Sequence, residues 1–387
     1  MNEICKRVEC TGCSACYNSC SHGAITMAQD DCGYIFPQID PDICVDCGLC
    51  KKVCPVNTLQ ELVYPLESLA AVVKNDEELL SCASGGIATL LGKIVVEEGG
   101  VVYGCDGSDI RNVHHARKDT VELLEDLKGS KYVQSFIGDV FRQVKEDLKT
   151  GIEVLFIGTP CQIAGLYGFL RGRNFTNLVT VDLVCHGVPS QKMLNDNIDY
   201  YCKKGENVSV RFREKIVEAS NVKNSRIEYK WLLRNNNKLD SSYKKTSYTK
   251  DAFMLGFLSC LTIRENCYNC RYACIARCAD ITLSDYWGLP SNTSFEKGRG
   301  VSNILINTEK GAFLWEKAKG YAKWEQRNIV EALSGNGQLQ LPSPRHSLHH
   351  SFMSLYPSVG FKKAVYKCSR KFLFIHFIKR IVSLILN

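Results

Sequence analysis

One cysteine spacing, written twice, constrains this chain more than anything else in it. Cys10-x2-Cys13-x2-Cys16-x3-Cys20 is followed by Cys44-x2-Cys47-x2-Cys50-x3-Cys54-Pro55. Three thiolates two residues apart wrap one face of a cubane through a tight loop, and the fourth, carried round the turn, reaches the neighbouring centre. The pattern therefore predicts two 4Fe–4S clusters, one on Cys10, Cys13, Cys16 and Cys54, the other on Cys44, Cys47, Cys50 and Cys20. Zinc knuckles lack the duplicated, x3-spaced cysteine. Gly12 and Gly48 suit loops that need close backbone approach. Ser21 stands where the second copy has Pro55, a change in local backbone and not in ligation. Between the halves, Ala24–Met27 and Tyr34–Phe36 read as short strands around an Asp30-Asp31-Cys32-Gly33 turn. Residues 1–62 are expected to form an α+β ferredoxin-like domain.

Composition agrees with metal and against disulfides. The 387 residues contain 21 cysteines, an odd number that rules out complete pairing within one chain. Residues Met1 to Arg7 show no apolar stretch of the signal-peptide kind, and no run reaches the roughly 18 apolar residues that span a bilayer. The expected location is the cytoplasm, with thiols kept reduced. The formal charge of +7 is local: seven basic and no acidic residues lie in 361–387, and the remaining 41 basic residues balance 41 acidic ones in 1–360. A neutral body argues against nucleic acid as a partner, since phosphate neutralisation needs a basic face.

From residue 63 to 187 strands and helices alternate, with strands at Leu69–Val73, Gly100–Gly104, Glu153–Ile157 and Leu178–Val184. Helical runs lie at Ile87–Glu98, at Val140–Leu148 and from Ile163. This is an α/β pattern of crossover units, in which loops at strand ends carry function. Ser81-Cys82-Ala83-Ser84-Gly85-Gly86 opens a helix, where small residues let amides approach a cofactor phosphate or simply cap the helix. Gly158-Thr159-Pro160-Cys161-Gln162 and Val184-Cys185-His186-Gly187 are further loops, and Cys267-x2-Cys270-x3-Cys274-x3-Cys278 lies far downstream. Cys161, Cys185, Cys267 and Cys270 together would complete a third cluster site. Two alternatives stand beside it. Cys161 at a helix N-terminus could be a nucleophile partnered by His186. The four downstream cysteines could hold one metal by themselves, although on a straight helix they would be strung along its axis. Lys131 reads either as a cofactor-phosphate contact or as a solvated lysine.

At this point the chain resembles the coenzyme F420 hydrogenase/dehydrogenase beta-subunit family with an N-terminal two-cluster ferredoxin extension. The resemblance rests on Ser84-Gly85-Gly86-Ile87, Gly129–Ser135, Gly158–Gln162, Cys185–Ser190, Cys267–Cys270 through Ala279-Asp280-Ile281-Thr282, and Gly300-Val301-Ser302. It implies an FAD site near Ser84, Gly85, Gly86, Ser130, Lys131 and Gln134, and a 4Fe–4S cluster on Cys161, Cys185, Cys267 and Cys270. It implies a flavin- and cluster-binding α/β body, divided into 63–150 on the flavin side and 151–345 with the third cluster. Relatives of this kind reduce deazaflavin or chlorophyll derivatives, or sit in polysaccharide-biosynthesis neighbourhoods. Cys274 and Cys278 are additional thiols, and residues 346–387 form a basic and apolar tail with no family counterpart.

The expected function is an iron–sulfur flavoprotein oxidoreductase that passes electrons between a ferredoxin-like donor and an unknown small-molecule acceptor. The alternative is an electron-transfer subunit that feeds a partner enzyme and has no substrate site of its own. No residue is singled out as catalytic. Peripheral membrane contact through the tail is a weaker expectation, because Arg370–Lys371 and Lys379–Arg380 would fall half a turn out of phase on a helix, and docking on the body or a partner stands equally beside it. Asn221–Lys250 reads as a solvated hairpin around Asn235-Asn236-Asn237.

Overall fold

The computed structural model describes residues 3–171, 175–216, 226–237, 243–290, 293–296, 298–370 and 373. Thirteen strands run through these residues: β1 (Ile25–Gln29), β2 (Ile35–Ile39), β3 (Glu67–Val73), β4 (Val101–Asp106), β5 (His114–Lys118), β6 (Val154–Gly158) and β7 (Leu178–Leu183), then β8 (Val208–Ile216), β9 (Arg226–Asn235), β10 (Lys244–Ser247), β11 (Ile281–Asp285), β12 (Ser302–Ile306) and β13 (Ala322–Arg327).

The predicted hairpin of the N-terminal domain is β1 against β2, antiparallel from Ile25↔Ile39 to Gln29↔Ile35. Its turn is closed by the Asp30 carboxylate, which accepts from the amides of Cys32 and Tyr34 at 3.1 and 2.9 Å. Gly33 takes φ 84° there, and a Cβ at this position would lie 2.3 Å from Cβ of Lys192. The hairpin tip is thus pressed on the body's helix Gln191–Tyr201.

The body is built on one eight-stranded sheet of order β13-β3-β12-β11-β7-β6-β4-β5. The crossover units anticipated from residues 63 to 187 form its centre, where β4, β6, β7 and β11 are parallel. The whole sheet is mixed, because β5, β12 and β13 pair antiparallel with their neighbours. Alternate side chains sort into two cores, as a strand's period of two requires. Val102, Leu155 and Val181 face the helices Ile87–Glu97 and Glu309–Ala318, whereas Tyr103, Phe156 and Leu178 face Val140–Lys149 and Pro160–Leu170. The second core also contains Cys13, Ala15 and Val53, so the N-terminal domain packs on the outside of that helical layer.

A third core joins β8–β10 to the helices Gln191–Tyr201, Ala252–Leu258 and His349–Val359. The hairpin expected at 221–250 is the antiparallel pair β9–β10, with Trp231, Leu232 and Leu233 buried. Phe352, Tyr356, Phe361, Ala364, Val365 and Cys368 are buried in this core too, so residues 349–370 dock on the body instead of trailing from it. Lys371, Lys379 and Arg380, on which the membrane argument turned, lie outside the described residues. Among the described residues no helix is long and apolar enough to cross a membrane.

Candidate functional site

The cysteines of each predicted ferredoxin set lie near one another. Cys10, Cys13 and Cys16 are buried with Cys54, and the Cys13 and Cys16 thiols feel Cys54 across the pseudo-repeat. Cys20, Cys44, Cys47 and Cys50 line a separate hollow near the surface, with Cys47 exposed. One thiol was not anticipated: Cys5 packs beside this set, in the small core that contains Cys16 and Cys54.

Gly12 and Gly48 both adopt left-handed φ values, 69° and 71°, but for different reasons. Nothing lies within 4 Å of a Cβ at Gly48, so only its conformation demands glycine. At Gly12 a Cβ would meet Nε2 of Gln134 at 2.6 Å and a guanidinium nitrogen of Arg264 at 3.2 Å. The first cluster loop is therefore seated against the body. Gly165 and Gly168 complete that seat: a Cβ would stand 2.9 Å from Sγ of Cys13 at the first, and 2.3 Å from the Val53 carbonyl at the second.

The body's motifs converge on one cavity of about 380 Å³. Ser84, Gly86, Ser130, Lys131 and Gln134 line it, and so do Cys161, Cys185, Cys267 and Cys270. Cys274 and Cys278 do not. The Cys274 thiol donates to the Ala276 carbonyl at 3.2 Å and that of Cys278 to the Pro160 carbonyl at 3.5 Å. The segment is no straight helix: Cys267 lies in a 3-10 turn, Glu265–Asn269, with Cys270 just after it. Among the described residues no three His, Cys, Asp or Glu side chains converge as a single metal ion would need.

Local chemistry explains each loop. Thr159 caps the helix Pro160–Leu170 in a capping box with Gln162, and Pro160 occupies the first turn, which sets Cys161 at the helix entrance. Gln162 also donates to the Ser135 carbonyl at 3.1 Å, tying this loop to the Gly129–Ser135 segment. Gly187, at φ 102°, leaves room for Cβ of Cys267, which a side chain would meet at 3.2 Å. Its amide donates to Sγ of Cys185 at 3.4 Å. Asp182 at the end of β7 pairs with the buried Arg277 at 3.1 Å, which anchors the Cys270–Cys278 loop beside Cys185. The Asp280 carboxylate accepts from the Thr180 amide at 2.8 Å and from the Thr308 hydroxyl at 2.7 Å, so this part of the motif joins β7 to β11 and serves no ligand.

Burial, the largest influence, pushes the Cys161 thiol up to about 12. A low-pKa nucleophile is not what this site makes. His186 feels Arg213 and Asp285, not Cys161.

The helix Ile87–Glu97 also begins at the cavity, with Gly86, Ile87 and Ala88 on the wall. Its first amides have no intrahelical partners. The preceding loop is clamped from 217 residues away: the Ser84 hydroxyl donates to the Val301 carbonyl at 3.1 Å and the Gly85 amide to Oγ of Ser302 at 3.1 Å. A Cβ at Gly85 would lie 2.3 Å from the Ala71 carbonyl, so that glycine answers to the sheet behind it. Two predicted contacts are spent inside the protein. The Lys131 ammonium is buried and donates to the carbonyls of Cys105, Asp126 and Lys128 at 3.0, 3.1 and 2.9 Å, which uses all three of its donors. Gln134 donates to the Thr11 carbonyl at 3.0 Å and accepts from Arg264 at 3.1 Å.

Several residues on the wall were not anticipated. His115 sits with Nδ1 2.8 Å from the Ser135 hydroxyl and Nε2 3.1 Å from the Ile157 carbonyl. A carbonyl can only accept, so Nε2 carries the proton and Nδ1 accepts from Ser135. Arg213 on β8 forms an ion pair with Asp285 at 2.6 Å and donates to the Tyr132 hydroxyl. No spacing signal marks any of these, for they come from strands with no motif of their own.

Residues 152–332 match the family described as the C terminus of the coenzyme F420 hydrogenase/dehydrogenase beta subunit, and residues 9–58 match the 4Fe-4S dicluster domain. The chain is 36% identical over 85 residues to the isethionate sulfite-lyase activating enzyme of Desulfovibrio desulfuricans, covering 21% of this chain and 25% of that protein. It is 38% identical over 61 residues to a ferredoxin of Alicyclobacillus acidocaldarius, covering 16% of this chain and 72% of that protein. The chain thus spans a quarter of the first relative's length. A chain of the F420-reducing NiFe hydrogenase complex from Methanosarcina barkeri is similar at a TM-score of 0.45 and 17% identity, over 73% of this chain and 92% of that one.

Proposed function

This chain belongs to the coenzyme F420 hydrogenase/dehydrogenase beta-subunit family, carries a 4Fe-4S dicluster domain ahead of the matched region and is an iron–sulfur electron-transfer protein, and from that premise we propose an FAD-dependent oxidoreductase with three clusters. One observation carries the reading: a single cavity of about 380 Å³ is lined by Ser84, Gly86 and the 130–135 segment together with Cys161, Cys185, Cys267 and Cys270. Bound clusters and flavin supply one-electron traffic and its conversion to two-electron chemistry.

The chain's own part is placement. Cys10, Cys13, Cys16 and Cys54 would hold one cluster in a buried position, and Cys20, Cys44, Cys47 and Cys50 a second at the surface, where a ferredoxin-like donor can approach. The third would be held by Cys161, Cys185, Cys267 and Cys270. A flavin phosphate would rest on the first amides of the helix Ile87–Glu97, reached past Ser84–Gly86, and not on Lys131, whose donors are spent. Tyr132, on the cavity wall and stacked 4.7 Å from Phe257, would help to exclude water from a bound cofactor. The acceptor is a small molecule, and a role in polysaccharide biosynthesis is carried over from the family resemblance alone.

The test is anaerobic purification with iron, sulfide and flavin assays. The reading expects about 12 irons and one flavin per chain, with about four irons lost in Cys161→Ala. About eight irons without flavin would sink it. Turnover of small acceptors by the isolated chain separates an enzyme from a subunit that only feeds a partner.

A further inference from the structure

Arg264 is buried, 1% exposed, at the joint between the N-terminal domain and the cavity. It donates from Nε to the Cys10 carbonyl at 2.9 Å, from one terminal nitrogen to Gln134 at 3.1 Å, and from the other to the Ile35 carbonyl at 2.9 Å. Its guanidinium also lies 4.2 Å from the ring centre of Phe36. Every one of these partners is formally neutral. Nearby interior arginines are treated differently: Arg277 is paired with Asp182 and Arg213 with Asp285. Among the described residues no carboxylate pairs with Arg264. A buried cation is tolerated only with a counter-charge, because the lost hydration must be replaced. In place of a carboxylate it has cysteines near it: it is bonded to the Cys10 carbonyl and shares the cavity wall with Cys161.

We infer that Arg264 is a positioning residue that sets the reduction potential of the first cluster, its fixed positive charge being balanced by the anionic cluster on Cys10, Cys13, Cys16 and Cys54. The inference rests on the cluster assignment proposed above. Reduction adds one electron, and so one negative charge, to a cluster while its donor loses one. A cation held beside a ligand cysteine, as Arg264 is by its bond to the Cys10 carbonyl, stabilises the more negative state and raises the potential. The surface cluster site, lined by Cys20, Cys44, Cys47 and Cys50, does not include Arg264 on its wall. The inner centre would therefore be the easier of the two to reduce, which favours electrons moving inward.

The experiment is a dithionite redox titration of the anaerobically purified holoprotein, followed by electron paramagnetic resonance. The first cluster is identified as the signal lost in Cys13→Ala. In Arg264→Gln its one-electron equilibrium should shift at least tenfold towards the oxidised form, about 59 mV lower in midpoint, while the surface cluster stays in place. Arg264→Lys, which keeps the charge, should restore most of the shift. If Arg264→Gln does not assemble, Gln134→Glu places a carboxylate on the guanidinium without removing it, and the same midpoint should fall. Full iron loading with an unmoved midpoint overturns the role of Arg264. A wild-type protein that lacks the expected iron instead overturns the cluster assignment, and this inference with it.

Discussion

A Cβ added at Gly165 would stand 2.8 Å from that of Cys13 and 2.9 Å from its sulfur, closer than real side chains pack. Gly165→Val should destabilise the protein by about 1–3 kcal/mol. It should also reduce iron by about four per chain, which iron analysis and thermal unfolding would check together. The glycines of the two cluster loops make a contrast. Gly48→Ala meets open space and should cost only its backbone strain, about 1–2 kcal/mol, whereas Gly12→Ala adds a clash with Gln134 and Arg264 and should lower the melting temperature further. Spacing marked both glycines, but it could not tell conformation from contact, since Gln134 and Arg264 lie more than 120 positions from Gly12. His115 supplies a pH prediction. Burial, the largest influence, holds its imidazole down to about 4, so the folded protein keeps it neutral while the unfolded chain takes up a proton near pH 6.5. Stability present above 6.5 should be lost as the pH falls towards 4, about 3 kcal/mol in all. Urea unfolding at pH 7.5 and 5 should show this slope in the wild type and a flatter one in His115→Gln.

At the scale of elements, the helix Pro160–Leu170 shows how much a local signal can state. Thr159-Pro160-Cys161-Gln162 contains the cap, the first-turn proline and the capping-box partner in four consecutive residues, and the helix forms there. Gln162→Leu removes the box and the bond to the Ser135 carbonyl, and should cost about 1–2 kcal/mol in chemical denaturation. Strands β4, β6 and β7 were equally legible, because fully buried strands read as continuous apolar runs. Of the strands with antiparallel pairings, β3 was read at Leu69–Val73 but β5, β12 and β13 were not. β13 reads Ala-Lys-Trp-Glu-Gln-Arg and lies at the sheet edge, half in water, where the apolar signal is weak. The tail was ambiguous for the opposite reason, with membrane contact and docking on the body standing as equal readings. Its basic residues dominate the composition, yet Phe361, Ala364, Val365 and Cys368 form the stripe that docks it on the body. That stripe has helical period, but nothing local says what it packs against.

Across the whole molecule, the N-terminal domain is held by more than its linker. Arg142 donates to the carbonyls of Asn18 and Tyr17, both at 2.9 Å, and Asn18 donates to the Gly138 carbonyl at 2.8 Å. Cys13, Ala15 and Val53 share a core with Phe141 and Ile163. Cutting the chain within the exposed Leu59–Glu61 stretch should therefore leave both fragments together on gel filtration, and separate elution would show the seat to be weaker than its packing. Sequence alone determined the two ferredoxin cysteine sets and the crossover centre of the sheet. Ligand spacing and hydrophobic period are properties of neighbouring residues, so a chain states them directly. The shared cavity, the spent donors of Lys131 and Gln134, and the seating of the first cluster loop on Arg264 were decided only by the tertiary structure. They depend on pairs separated by more than a hundred residues, such as Cys10 and Arg264, or Ser84 and Val301. Whether a buried polar group is free for a ligand or already satisfied depends on which partners the fold brings to it, and no local pattern records them.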